Sequence, residues 1–255
     1  MRFVRFRKGN ATGFGVLEGE RAIRVYEGEM FGSHRPAGGT VMLEDVELLP
    51  PCKPSVMIAL WNNSRIQIET RKRATPKEVL WFLKPPSSFI THGQAIRYPA
   101  GQSEKVVLEG ELGIVIGKPC KGVSAQEAAQ YIFGYTAIND VTAQDIVPRD
   151  ETYPQYTRAK GFDTFGIFGP AIATNVDPLS LTIRSYVNGK LCQEYPATDL
   201  VFPPSKIVAE LARTMTLMPG DVIACGTSLG VEQIRPGDTV EVRIDGIGSL
   251  VNPVA

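Results

Sequence analysis

Short apolar stretches separated by turn residues run through most of this sequence, and they limit the folds open to it. VMIALW (56–61), YTAIND (135–140) and DVIACGTSLGV (221–231) have the length and composition of strands. Only two stretches, residues 124–134 and 205–220, have the pattern of a longer helix. Because many strands separate these helices, the pattern favours an α+β, mainly β architecture over a doubly wound parallel sheet.

The two predicted helices carry their own start and stop signals. Ser124 is followed three residues later by Glu127, which predicts a capping box, and Gly134 is expected to end this helix. The second helix is expected to begin after a cap at Ser205 and to end near Gly220. Both helices are therefore predicted to span more than two turns.

Proline and glycine also mark boundaries elsewhere in the chain. The proline-rich PPCKPS at 50–55 predicts a connector between a small N-terminal β-rich domain, residues 1–50, and a larger domain, residues 51–255. The polar residues 65–80 predict a helix and a loop. The Asn-Gly pair at 188–189 predicts a tight hairpin turn between two strands.

The composition excludes several classes of function. Among 255 residues, 27 Lys and Arg balance 27 Asp and Glu, so no overall field attracts nucleic acid or an anionic membrane. No apolar run approaches the length of a membrane span, and the four cysteines are widely spaced, which favours a cytoplasmic protein with free thiols. With only two histidines, a metal site would depend on oxygen ligands and thus on a hard ion.

Two glutamates open an otherwise apolar stretch, VVLEGELGIVIGKP, at residues 106–119. On a strand Glu109 and Glu111 would share one face, where their like charges repel unless a positive charge lies between them. A second predicted strand ends in Asp140, so three carboxylates could converge on one Mg²⁺ and leave positions open for a 2-oxo acid. The alternative is that the glutamates flank a strand end and face water.

Several longer motifs resemble one known family. The stretches YTAINDVTAQD, EGELGIVIGK, RAKGFDTFGIFGP, LTLMPGDVIACGTSLGV and PGDTVEVRIDGIGSLVN are similar, in this order, to the fumarylacetoacetate hydrolase family. The resemblance runs from about residue 50 to the C-terminus. It implies a mixed β-roll or β-sandwich core with a few helices, usually in a homodimer. It also implies Mg²⁺ or Mn²⁺ bound by Glu109, Glu111 and Asp140.

The resemblance further implies roles for residues outside the carboxylate cluster. Lys160 matches a lysine near the metal that stabilises negative charge, and Glu69 matches a catalytic acid. Ser228 stands where the family has a proline, which predicts a less rigid loop. The residues expected to bind substrate are Asn62, Gln144, Arg158, Gly226 and Thr227. Gln144 stands where the family often has an arginine, so charge pairing with the substrate is expected from Arg149 or Arg158, and the alternative is that each is a solvated surface arginine.

One departure from the family motif bears on the reaction. The position of a histidine that pairs with the family's glutamate falls on Ile66 in an ungapped alignment, or on Arg65 after a register shift. Hydrolysis of a carbon–carbon bond needs an activated water, whereas keto–enol isomerisation or decarboxylation demands less. The prediction is therefore a metal-dependent isomerase or decarboxylase of a 2-oxo dicarboxylic acid of aromatic catabolism, acting through an enolate. An acylpyruvate hydrolase and a non-catalytic keto-acid-binding relative are the alternatives.

Overall fold

The computed structural model describes residues 1–255, and it contains nineteen strands and four α-helices. The strands are β1 Arg2–Lys8, β2 Ala11–Glu18, β3 Ala22–Gly28, β4 His34–Met42, β5 Glu47–Leu49, β6 Met57–Trp61, β7 Leu80–Lys84, β8 Phe89–Ile90, β9 Val106–Leu108, β10 Gly110–Ile116, β11 Ile132–Asp140, β12 Thr142–Ala143, β13 Gly166–Ala173, β14 Thr182–Val187, β15 Lys190–Pro196, β16 Val222–Ala224, β17 Glu232–Gln233, β18 Thr239–Ile244 and β19 Gly248–Pro253. The helices are α1 Arg65–Thr70, α2 Ala125–Ala128, α3 Tyr156–Lys160 and α4 Pro204–Thr214.

One twelve-stranded sheet organises the molecule. Its order is β4-β3-β2-β1-β13-β11-β10-β16-β6-β7, with β5 paired to β1 and β8 paired to β13. Two smaller sheets have the orders β12-β9-β17 and β15-β14-β18-β19. All strand pairs are antiparallel except β8 with β13 and β6 with β16. The predicted α+β, mainly β fold is therefore confirmed.

The N-terminal strands extend the large sheet. β1 pairs with β13, with Phe3 opposite Ile172, so the N-terminal meander β1–β4 joins the sheet that contains β10 and β11. The division into domains at residues 50 and 51 stays a prediction. None of the helices has the length and apolar character that a membrane crossing requires.

The first predicted helix is shorter than expected. The capping box is present, since the Ser124 hydroxyl accepts from the Glu127 amide while the Glu127 carboxylate accepts from the Ser124 amide. Helix α2 nevertheless ends at Ala128, and after a short 3-10 turn β11 begins at Ile132. Gly134 therefore lies inside a strand, where a Cβ would approach the Ala173 carbonyl oxygen of β13. This close approach of the neighbouring strand, and not helix termination, requires glycine here.

The second predicted helix also has different ends. Helix α4 begins at Pro204, and Ser205 lies inside it, because Pro203 occupies the cap position and makes no side-chain cap bond. The helix ends at Thr214 and not near Gly220, because the chain then extends and Leu217 pairs with Cys120. Helix α3 was not predicted, since five residues are too few to show helical periodicity.

The predicted hairpin is confirmed. Strands β14 and β15 are joined by Asn188 and Gly189, whose φ values of 51° and 77° are both positive. A two-residue turn with this backbone matches the twist of the flanking strands, and Asn-Gly adopts it at low cost.

The two larger sheets enclose the main core. Strands β10 and β11 of the large sheet pack against β14 and β18 of the four-stranded sheet. A second apolar cluster, which includes Phe3, Met57 and Phe168, lies on the other face of the large sheet. Because Phe3 and Phe168 come from β1 and β13, this cluster ties the N-terminal strands to the centre of the sheet.

We expect Phe168→Ala to destabilise the protein by about 3–5 kcal/mol, because it removes a fully buried ring from this cluster. Denaturant unfolding measures the effect. Tyr153→Ala is the matched control, because Tyr153 is 68% exposed and its loss should change stability by roughly 0.5 kcal/mol or less. Equal effects of the two substitutions would contradict the assignment of Phe168 to a supporting core.

Candidate metal centre

The Glu-Gly-Glu stretch lies where two sheets come close together. Glu109 separates β9 from β10, and Glu111 is the second residue of β10. Gly110 between them has no room for a side chain, because a Cβ would lie 2.0 Å from the Ser185 hydroxyl of β14. Glycine at this position therefore lets the small sheet pack against the strand that carries both carboxylates.

The strand ladder brings the third carboxylate to the same place. In the antiparallel pair of β10 and β11, Gly110 lies opposite Asn139, and the Asp140 amide donates to the Glu109 carbonyl at 2.9 Å. As a result, Glu109, Glu111 and Asp140 each have a carboxylate oxygen within 4.8 Å of the others. Side-chain oxygens at this spacing are suitable ligands for a hard divalent cation.

Two lysines supply positive charge to this cluster. Lys160, the last residue of α3, donates through Nζ to Glu109 Oε2 at 2.7 Å and also to Asp140 Oδ2. Lys84, the last residue of β7, donates to Asp140 Oδ1. Burial alone would raise the pKa of Asp140, but the ammonium groups of Lys160 and Lys84 overcome this effect and hold the pKa below its ordinary value.

Glu111 is the least compensated member of the cluster. Burial, followed by the negative charge of Asp140, raises the pKa of Glu111 well above its ordinary value. Its Oε2 accepts a hydrogen bond from the Gly226 amide at 2.6 Å. That amide therefore orients Glu111, and Gly226 is not among the residues that line the neighbouring cavity, so its role in substrate binding stays a prediction.

The balance of charge fits a divalent cation. With all groups ionised, three carboxylates and two ammonium groups leave one uncompensated negative charge in a buried site. A divalent cation would reverse that balance to one positive charge, which attracts an anionic ligand. Glu109, Glu111 and Asp140 are thus the residues able to hold such an ion.

Comparison with known proteins identifies the family to which these residues belong. The sequence profile described as Fumarylacetoacetate (FAA) hydrolase C-terminal matches residues 57–255. The chain belongs to the fumarylacetoacetate hydrolase family. A second profile, described as Rv2993c-like N-terminal, matches residues 1–51.

Members of the fumarylacetoacetate hydrolase family that resemble this chain include isomerases and decarboxylases. A crystal structure described as 2-hydroxyhepta-2,4-diene-1,7-dioate isomerase from Mycobacterium marinum is 39% identical, with TM-score 0.91, and the match covers 100% of this chain and 98% of that one. The 4-hydroxyphenylacetate degradation bifunctional isomerase/decarboxylase of Salmonella dublin is 40% identical over 70% of this chain and 42% of that protein. The oxaloacetate tautomerase YisK of Bacillus subtilis is 34% identical over 83% of this chain and 74% of that protein.

The family's glycine–threonine loop is held by hydrogen bonds in this protein. The Thr227 hydroxyl donates to the Gly110 carbonyl at 3.0 Å, which ties the loop to the Glu-Gly-Glu stretch. Ser228 stands at the family's proline position and is buried. Its hydroxyl lies 2.9 Å from the Ser64 hydroxyl, and the Ser64 hydroxyl donates to the Asp199 carboxylate. The structure therefore replaces the rigidity of a proline ring with a buried chain of hydrogen bonds.

A cavity of about 280 Å³ opens beside the carboxylate cluster. Of the residues predicted from the family motifs, Asn62, Gln144, Thr227, Lys160, Glu109 and Glu111 line it. Asp140 lies beneath this lining, fully buried. Glu69 and Arg158 are exposed and outside the lining, and Arg149 is on the surface, where it pairs with Asp145.

The segment after β6 contributes residues that sequence reasoning missed. Gln67, Arg71 and Arg73 line the cavity, whereas the side chain at the expected histidine position, Ile66, is 42% exposed. On a helix as short as α1, the face that meets the cavity is set by the Ser64 cap, whose hydroxyl accepts from the Gln67 amide. The basic run Arg71-Lys72-Arg73 was the available signal in the sequence.

Aromatic residues form the remainder of the wall. Trp61, Phe82 and Tyr156 line the cavity, and the Phe82 and Tyr156 rings stack with centroids 5.7 Å apart. Lys160 Nζ lies 5.2 Å from the centre of the Phe82 ring. These rings shield the lysine and the carboxylates from water, which strengthens the electrostatic interactions between them.

We expect Mg²⁺ or Mn²⁺ to raise the melting temperature of the chelator-treated protein, because an ion that binds only the folded state at 100 times its Kd stabilises it by about 2.7 kcal/mol. In Glu109→Gln this rise should be lost, since the substitution removes the charge of one of the three carboxylates proposed to hold the ion. Differential scanning fluorimetry measures both. Glu232→Gln on the exposed strand β17 is the control and should keep the rise. A rise that survives in Glu109→Gln would place the ion elsewhere.

Proposed function

We propose that this protein is a divalent-metal-dependent isomerase or decarboxylase of a 2-oxo dicarboxylic acid. The observation that carries this proposal is a single cavity lined by a carboxylate–lysine cluster and by two arginines without carboxylate partners. The names of the relatives from Mycobacterium marinum and Salmonella dublin support the reaction class. The homodimer expected from the family stays a prediction.

The carboxylate cluster would recognise the 2-oxo acid end of the substrate. A divalent cation held by Glu109, Glu111 and Asp140 would withdraw electrons from the 2-oxo or 2-hydroxy oxygen, and so favour loss of an enol proton to solvent or loss of CO₂ from the adjacent carbon. Burial by itself would lower the pKa of Lys160. The negative charges of Asp140 and Glu109 outweigh this effect and raise the pKa above its ordinary value, so Lys160 is an ammonium group. As a hydrogen-bond donor beside the cluster, Lys160 stabilises the negative charge that develops on the enolate oxygen.

Arg71 and Arg73 would recognise the second carboxylate. Neither guanidinium forms an ion pair with an acidic residue, and both line the cavity. Arg73 lies 5.1 Å from the Trp61 ring centre and donates to Gln67 Oε1 at 3.3 Å, so its side chain is positioned without a counter-ion. Paired guanidinium groups of this kind bind carboxylates with strong, directed hydrogen bonds.

Proton transfer would involve the groups that face the cavity. Glu69 is exposed, so it is not in position to act on a ligand in the cavity. Tyr156 lines the cavity, and burial raises the pKa of its phenol, which therefore keeps its proton at neutral pH. Lys160 and Tyr156 are thus the proposed donors of a proton to the enolate carbon. Ketonisation of an enol releases the enol proton to solvent and decarboxylation releases CO₂, so both reactions need this donor and neither needs a base in the cavity.

Hydrolysis of an acylpyruvate is the second candidate, and the family name supports it. A hydrolase must deprotonate a water molecule, and no histidine lines the cavity. The carboxylates of the lining, Glu109 and Glu111, are those proposed to bind the cation. This geometry favours isomerisation or decarboxylation, and a relative that binds keto acids without turnover would keep the same cluster.

We expect the Mg²⁺-loaded protein to isomerise or decarboxylate unsaturated 2-oxo dicarboxylates faster than it hydrolyses acylpyruvates. Glu109→Gln should lower kcat/KM by at least about 100-fold, because the loss of one cluster ligand removes several kcal/mol of charge stabilisation. Ultraviolet absorbance of the conjugated substrates and CO₂ release measure the reactions. Faster hydrolysis would favour the second candidate, and tight oxalate binding without turnover would identify a binding protein.

We expect Arg73→Leu to raise KM for a dicarboxylate by about 10- to 100-fold, since a hydrogen bond to a charged group contributes about 1.5–3 kcal/mol. The KM for a 2-oxo acid without the second carboxylate should change little. Arg149→Leu is the matched control, because Arg149 is on the surface and outside the cavity. An equal rise in KM for both substrates would show that Arg73 does not bind the second carboxylate.

A further inference from the structure

Lys84 is a buried cation that the proposed reaction does not use. Its side chain is completely inaccessible to solvent and does not line the cavity, so it cannot touch a substrate. Its position is set by the sheet, because β7 is the edge strand and Lys84 lies opposite Met57 of β6. Burying a lysine is costly unless it is paired, and the partner of Lys84 is the equally buried Asp140.

The two oxygens of Asp140 have different neighbours. Oδ1 accepts from Lys84, which is enclosed in the protein, whereas Oδ2 accepts from Lys160, which lines the cavity. Lys84 also donates to the Val141 carbonyl at 3.4 Å, so its ammonium is held from two sides. Both oxygens therefore carry an ammonium group, but only Oδ2 faces the cavity. An ion that enters from the cavity can compete with Lys160 for Oδ2, whereas at Oδ1 it would meet the enclosed Lys84, and the two positive charges would repel at short range.

We propose that Lys84 is a positioning residue that restricts Asp140 to a single ligating oxygen, Oδ2. This inference rests on the proposed metal site and adds to it a cause for ion selectivity. Mg²⁺ and Mn²⁺ are bound in six-coordinate sites by single carboxylate oxygens, whereas Ca²⁺ accepts more ligands and often binds both oxygens of one carboxylate. By occupying Oδ1, Lys84 disfavours the larger ion and leaves coordination positions open for the substrate.

The ratio of the Kd values for Mg²⁺ and Ca²⁺ tests this role. Both ions are divalent, so removal of the lysine charge affects both affinities alike, and the ratio reports the ligand geometry. In Lys84→Met, which has a similar length and no charge, the ratio Kd(Mg²⁺)/Kd(Ca²⁺) should rise by roughly tenfold or more, within the range seen when a partner of a metal ligand is changed. Isothermal titration of the chelator-treated proteins measures it.

The matched control is Ile183→Ala, which removes a buried side chain of the four-stranded sheet. It should lower stability without changing the ratio, and so it separates destabilisation from positioning. An unchanged ratio in a folded Lys84→Met protein would overturn the role of Lys84 and leave the metal site intact. Wild-type protein that binds neither ion would overturn the metal site as well.

A measurement on the wild-type protein decides the question if Lys84→Met does not fold. Protein labelled with ¹³C in the aspartate carboxylates is compared with and without Mg²⁺, and with and without Ca²⁺, by infrared difference spectroscopy. The separation of the two carboxylate stretching bands distinguishes one-oxygen from two-oxygen ligation. We expect the one-oxygen signature with both ions, and a two-oxygen aspartate signature with Ca²⁺ would overturn the proposal.

Discussion

Electrostatic repulsion among three neighbouring carboxylates is the constraint on which the site depends. Glu111 and Asp140 are buried, and their separation from Glu109 is too small for the charges to be independent. Lys160 and Lys84 offset most of this repulsion, and they come from α3 and from the edge strand β7. The cluster is therefore stable only in a fold that delivers both lysines to β10 and β11.

The strands and the loop around the carboxylates hold them in place beside the two lysines. The antiparallel pair of β10 and β11 sets the register of the acids, and Gly110 allows the four-stranded sheet to pack against them. The loop that contains Gly226 and Thr227 adds an amide to Glu111 and a hydroxyl to the Gly110 carbonyl. The loop that contributes Thr227 to the cavity wall therefore also positions Glu111 and binds the Gly110 carbonyl.

The arrangement of the cavity is also consistent with the proposed reaction although Ile66 stands at the position of the family's histidine. Ile66 and Glu69 of α1 face away from the cavity, while Gln67 faces it. The segment after β6 therefore contributes hydrogen bonds and the guanidinium groups of Arg71 and Arg73 to the site, and it contributes no acid–base pair. In the proposed reaction, the arginines would recognise the charge of the substrate, and Lys160 and Tyr156 would supply protons.

The sequence by itself determined the strand-rich fold, the Asn188–Gly189 turn and the capping box at Ser124, because these depend on neighbouring residues. Regular side-chain spacing along a strand predicted that Glu109 and Glu111 share a face, and the family resemblance added Asp140 to the same site. Only the tertiary structure decided the ends of α2 and α4, the position of Lys84 and the outward orientation of Glu69 and Arg158. These depend on contacts between residues far apart in the chain, such as Leu217 with Cys120 and Lys84 with Asp140, which no local pattern records.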